Sequence, residues 1–179
     1  KVGTLSRTAQ VKARLGKLYA DPGQDLAKVA SIERHHGSGT IGLGYVRGFG
    51  FEQGAVASTV GHDSHNLLIV GTNEDDMAVA GNALVACGGG MVAVRNGEVL
   101  ALLPLPIAGL MSPEPVEKVG EQVQALEAAF RELGCQLVSP FMTMALLPLA
   151  VLPELRITNR GLVDTVNFKL VDVVLASGK

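Results

Sequence analysis

Ala55-Val56-Ala57-Ser58-Thr59-Val60-Gly61-His62-Asp63-Ser64-His65-Asn66-Leu67-Leu68-Ile69-Val70-Gly71-Thr72-Asn73 is the stretch that decides the fold. Ala55 to Val60 and Leu67 to Val70 are apolar runs too short for helices, and they read as buried strands. A polar turn led by Gly61 joins them. Asn73 then opens a different pattern. It is a helix cap, with Asp76 three residues on as a weak capping box. Met77, Ala80, Leu84 and Cys87 follow at spacings of three and four, which gives one buried stripe. Gly88-Gly89-Gly90 stops that helix.

Upstream, Ala27 to Ile32 reads as another buried strand, ending in Glu33-Arg34-His35-His36-Gly37. A glycine-dense segment follows from Gly37 to Gly54, with Ile41, Leu43, Tyr45 and Val46 among the glycines. Downstream, Met91 to Val94 and Val99 to Leu103 flank Asn96-Gly97, a hairpin signal of the type I′ kind. Pro104 to Met111 reads as an apolar loop. Ser112 and Pro113 predict the start of a second helix. Its buried stripe is Val116, Val119, Val123, Leu126, Phe130 and Leu133, and Gly134 ends it. Ser139 to Pro153 predicts a buried loop with a short helical piece, and Phe168 to Leu175 a last strand. The fold class expected is α+β: one mixed β-sheet core with two main amphipathic helices.

The chain has 179 residues, 47% of them hydrophobic, and a net charge of −2, the profile of an ordinary globular domain. Disorder is not expected. Aromatics are 4% and Trp is absent, so stacking platforms for nucleic acid are not expected. No run of about 18 apolar residues predicts a membrane span. Cys87 and Cys135 read as reduced thiols of a cytosolic protein. Lys1, Arg7, Lys12, Arg14 and Lys17 precede the first acid, Asp21; a solvated connector is expected there rather than a polyanion-binding arm. Strand and helix patterns both fit residues 11–18. Lys1 in place of Met is expected to mean either that something was removed or that this is a piece of a longer chain.

The four histidines fall in two clusters, each at the end of an apolar strand. His35 and His36 follow one, and His62 and His65 the other. If those strands are parallel neighbours, the clusters meet at one sheet edge, joined by Glu33, Arg34, Asp63, Ser64, Asn66 and Asn73. Several chemistries compete for them. His35, His62, Asp63 and His65 have donor types for a metal, but on a weak spacing. Ser64 lacks the G-x-S-x-G elbow of a serine hydrolase. The glycines at 37, 39, 42 and 44 lack the helix that a dinucleotide site requires. Three readings stay open: a metal site, polar groups that merely pair at a domain edge, and a site facing a ligand or a partner domain.

The ordered motifs Ile32-Glu33-Arg34-His35-His36-Gly37, Gly61-His62-Asp63-Ser64-His65-Asn66, Gly71-Thr72-Asn73 and Pro104-Leu105-Pro106-Ile107-Ala108-Gly109-Leu110-Met111-Ser112 resemble the C-terminal domain of bacterial adenine deaminases, of the amidohydrolase superfamily. Pro140-Phe141-Met142-Thr143 and Arg160-Gly161-Leu162-Val163-Asp164 extend the resemblance, which runs over roughly residues 25–174. Residues 1–24 would then be a connector from an N-terminal barrel domain, and 25–179 the C-terminal-type domain.

The resemblance implies hydrolysis of adenine to hypoxanthine and ammonia, in purine salvage, by a cytoplasmic homo-oligomer. It implies a divalent metal (Mn, Fe or Zn) held by the barrel, which activates the attacking water. It transfers no metal ligand and no catalytic residue to this chain, which alone is expected to be inactive. Glu33, His35, His62, Asp63, Ser64, His65 and Asn66 are the candidates to face substrate or barrel. The competing expectation is a stand-alone binding module or a small metal-dependent hydrolase built on His35, His62 and His65. An apolar face near Leu105, Ile107, Leu110 and Phe141 is expected to be covered by a partner.

Overall fold

The structure, a computed structural model, describes residues 5–175. A small hairpin comes first, β1 (Lys12–Arg14) and β2 (Lys17–Tyr19). So the segment ambiguous in sequence is a hairpin rather than a helix, turned at Leu15 and Gly16 with positive φ at both. The main elements are β3 (Ala27–Ile32), β4 (Ile41–Val46), β5 (Ala55–Ser58), β6 (Leu67–Gly71), α1 (Glu74–Ala86), β7 (Gly90–Arg95), β8 (Glu98–Pro104), α2 (Val116–Glu132) and α3 (Pro140–Ala145). Three short strands close the chain: β9 (Leu155–Thr158), β10 (Gly161–Asp164) and β11 (Lys169–Val171).

The α+β class holds, with one six-stranded sheet in the order β4-β3-β6-β5-β7-β8. Every pairing in it is antiparallel. β5 and β6 are buried at every residue, because the sheet is covered on both faces. Ala30, Ala55, Ala57, Ile69, Val92 and Val94 pack under α1, through Met77, Ala80 and Leu84. The opposite face packs Val29, Val56, Leu68 and Val70 with Leu126, Phe130 and Leu133 of the α2 region, Met144 of α3 and Ile157 of β9. The strands under both layers alternate between two apolar faces, which is why they read as unbroken hydrophobic runs.

Local signals account for the boundaries. Asn73 accepts from the Asp76 backbone N–H at 2.8 Å, and its amide donates back to the Asp76 carboxylate at 2.8 Å. Asn96 and Gly97 both have positive φ, as a type I′ turn requires. The second helix starts at Val116, later than Ser112-Pro113 predicts. Pro115 disfavours helical geometry at Glu114, so Ser112 caps only a local turn, accepting from the Glu114 N–H at 3.1 Å. Val116 is consequently exposed rather than part of the buried stripe.

The glycine-dense segment, to which the sequence reading assigns no element, contains a full strand, β4. Two other expectations are corrected. The last strand is Lys169–Val171, not Phe168 to Leu175. The expected apolar face is thinner than the sequence suggests. Leu105 is buried and Phe141 packs edge-on to Phe130 at 4.6 Å, which leaves Ile107 and Met111 as the exposed large side chains of that loop.

Candidate functional site

β3 and β5 run in the same direction but are not neighbours: β6 lies between them, antiparallel to both. Their C-terminal ends still reach one sheet edge. The 61–66 turn, which links β5 to β6, therefore stands beside Glu33-Arg34-His35-His36. Asn73 does not join this group. It follows the far end of β6, where Gly71 pairs with Lys28 at the start of β3.

Arg34 ties the edge together. Its Nε donates to the His65 carbonyl at 2.5 Å and a terminal nitrogen donates to the Ala108 carbonyl at 2.8 Å. The guanidinium lies flat on Gly109, where any Cβ would sit 2.9 Å from it. The loop of residues 104–111, the β5–β6 turn and the end of β3 thus meet on one side chain. His35 adds a second tie: its Nε2 is 2.6 Å from the Ser64 carbonyl. A carbonyl only accepts, so the His35 proton is on that nitrogen.

Glu33 faces inward. Its carboxylate accepts from the backbone N–H groups of His35, His36 and Ser38 and from the Ser38 hydroxyl. These bonds, the Ser38 amide foremost, hold its pKa down at about 2. The Ser38 hydroxyl also contacts Thr40 at 3.0 Å. Thr40 accepts from the Asn159 amide at 2.9 Å, and the Asn159 oxygen accepts from the Asn66 amide at 3.3 Å. One polar chain therefore crosses from Glu33 to Asn66 through Asn159, a residue the sequence did not mark. Asn66 is buried, and its Oδ1 has no protein partner.

His62, Asp63, Ser64 and His65 are left as the outward members. Asp63 and Ser64 are exposed and His62 half-exposed, with His62 Nδ1 3.8 Å from the Asp63 carboxylate. His65 has φ +47°, and its Nδ1 accepts the Gly61 N–H at 3.2 Å. Burial, then the neighbouring His62 and Arg34, hold its pKa below the ordinary 6.5. A neutral His65 with Nδ1 accepting carries its proton on Nε2. The turn thus offers a donor at His65 Nε2, an imidazole at His62, a hydroxyl and a carboxylate.

These groups do not fit a metal ion. Glu33 is saturated by N–H donors, and one nitrogen each of His35 and His65 is committed to backbone. Among the described residues no three His, Cys, Asp or Glu side chains gather as a ligand set.

Glu33 gives a pH-dependent expectation. A carboxylate with a depressed pKa adds stability above its unfolded value and loses it as pH falls through the folded one. For Glu33 that window runs from 4.5 down to about 2. Glu33→Gln should melt lower than the parent at neutral pH, and the difference should shrink steadily across that window. A constant difference in melting temperature at all pH values would remove Glu33 from this role.

Comparison with known proteins places the sequence in a family. The family model described as Adenine deaminase C-terminal domain matches residues 1–169, so the match includes the first 24 residues, which the motifs had left outside. An adenine deaminase of Moorella thermoacetica is 67% identical over 173 residues, covering 97% of this chain and 29% of that protein. One of Clostridium botulinum is 56% identical over the same shares. One of Desulfatibacillum aliphaticivorans is 46% identical, covering 97% of this chain and 30% of that protein. The chain spans less than a third of the length of these relatives, and it belongs to the adenine deaminase C-terminal domain family.

Proposed function

We propose that the chain is the C-terminal part of an enzyme that hydrolyses adenine to hypoxanthine and ammonia, and that its 61–66 turn forms part of the wall around the substrate. The carrying observation is the turn itself. Its outward side chains are held on a sheet edge braced by Arg34, Glu33 and Asn159. A site needs this rigidity, because small misplacements of a polar group are expensive in rate. The upstream barrel would hold the divalent metal and carry out the attack on the purine. No step runs through a metal held by this chain. The reading also places the enzyme in the cytoplasm and in purine salvage, as a homo-oligomer.

Within it, this chain's residues orient substrate. A neutral His65 with its proton on Nε2 can donate to a purine ring nitrogen. Asp63 can accept from an amino group or fix the His62 tautomer.

The test is ammonia release from adenine by the full-length enzyme, its His62→Ala and His65→Ala variants, and the 179-residue chain alone. The full-length enzyme should turn over and the short chain should not. At least one variant should lose roughly tenfold in kcat/KM, the scale of about 1.4 kcal/mol, with metal content and melting temperature little changed. Two fully active variants would make the turn structural. Deamination by the short chain at the full-length rate would overturn the division of labour.

A further inference from the structure

β9, β10 and β11 form a three-stranded sheet of their own. Between it, the 148–151 loop after α3 and the β5–β6 turn lies an open groove of about 470 Å³. Its walls are unusually apolar for solvent. Phe168 at the β10–β11 turn is 90% exposed, and Val151 and Leu170 beside it are also exposed. Pro148, Leu149 and Val163 continue the apolar lining, and the groove ends at Asp63 and Ser64. Arg160 and Lys169 stand on its rim. An aromatic ring held in the open by a left-handed turn (φ +52°) gains nothing inside this domain. Contiguous exposed apolar side chains with a polar rim mark an interface.

The path of the chain says what covers it. The Ser6 backbone N–H donates to the Glu154 carboxylate at 3.0 Å. Glu154 immediately precedes β9, and its carbonyl accepts the Thr165 N–H at 2.9 Å. So the chain at Ser6 is tied to the same small sheet that carries Phe168. More than two thirds of each adenine deaminase relative lies outside the region matched here, and the matching family is a C-terminal domain. A part that precedes the matched region in those relatives would enter from the Ser6 side, next to the small sheet that carries Phe168.

We propose that the preceding part of the same polypeptide docks on the groove between the small sheet and the β5–β6 turn, with Phe168 as its anchor. This rests on the functional reading above and deepens it. The groove runs into Asp63 and Ser64, so the docked part is brought up to the polar turn rather than to another edge of the domain. The docking surface on that part is apolar, with carboxylates facing Arg160 and Lys169.

Hydroxyl-radical footprinting of the full-length enzyme tests it. Val116, 77% exposed at the start of α2 and not among the residues that line the groove, serves as the internal reference. After correction for intrinsic reactivity, Phe168 should oxidise at least about fivefold more slowly than Val116, since a docked anchor is shielded from water. Leu170 should follow it. Dilution should leave the protection unchanged, and Phe168→Glu should expose Leu170 while the far-UV spectrum stays the same. Phe168 reacting as an exposed ring overturns the proposal. Protection that vanishes on dilution also overturns it, by giving the groove to a second copy of the chain. Ammonia release is read on the same sample. An active enzyme with a reactive Phe168 removes only the docking face, and an inactive enzyme with a shielded Phe168 removes only the deaminase reading.

Discussion

Phe130→Ala is expected to lower the unfolding free energy by about 3–5 kcal/mol, the range for truncating a fully buried aromatic. Phe130 is 1% exposed. Its ring sits 5.7 Å from Phe51 and 4.6 Å from Phe141. It therefore joins α2, the loop before β5 and α3. The neighbours cannot close the hole together, because each is fixed by a different element. At this chain length about 2–4 °C of melting temperature correspond to each kcal/mol, so a fall of roughly 6–20 °C should appear in a thermal melt. A change of one or two degrees would mean that the core collapses around the site, and that α2 is held by something else.

Gly42→Ala should be nearly as damaging for the opposite reason. A Cβ at Gly42 would lie 1.8 Å from the Thr158 carbonyl oxygen and 2.8 Å from the Gly161 nitrogen. Both are backbone atoms of the β9–β10 turn, so no side chain can swing aside. The two sheets must separate, at a cost of about 3 kcal/mol or more, the upper range for overpacking. Gly120 is the internal control. It lies in α2 with nothing within 4 Å of its Cβ position. There the same change should stabilise by about 0.5–1 kcal/mol through helix propensity. Melting temperatures of the two variants should move in opposite directions. If both rise, the contact between β4 and the small sheet is not tight.

These two residues also show what the sequence could and could not reveal. Phe130 sits in a stripe of three- and four-residue spacings, so its burial was legible from local periodicity. The same holds for Met77, Ala80 and Leu84, and for the Asn96-Gly97 turn. β4 was not legible. Gly42 and Gly44 occupy the face that the small sheet approaches, and glycine carries no hydrophobic signal for a strand. β9, β10 and β11 are three or four residues each, too short for any period to emerge.

The candidate turn was visible as a cluster of His, Asp, Ser and His, because titratable side chains stand out in a glycine-rich setting. What each does was hidden. Glu33 carries the same charge whether it faces a ligand or three backbone amides, and only the turn geometry decides. Asn159 and Thr40 are 119 residues apart and Asn66 and Asn159 are 93 apart, beyond what spacing can suggest.

That last separation has a consequence for how the molecule comes together. Glu33, Ser38 and Thr40 can find one another as soon as the β3–β4 hairpin closes, since all lie within a few residues. The links through Asn159 must wait until nearly the whole domain has been threaded, and non-local contacts of this kind form late and slowly. The polar chain is thus a seam, laid early on one side and sewn shut last on the other. A polypeptide severed between α3 and β9 would retain the first stitches and the entire six-stranded sheet, yet leave Asn66 facing an empty edge.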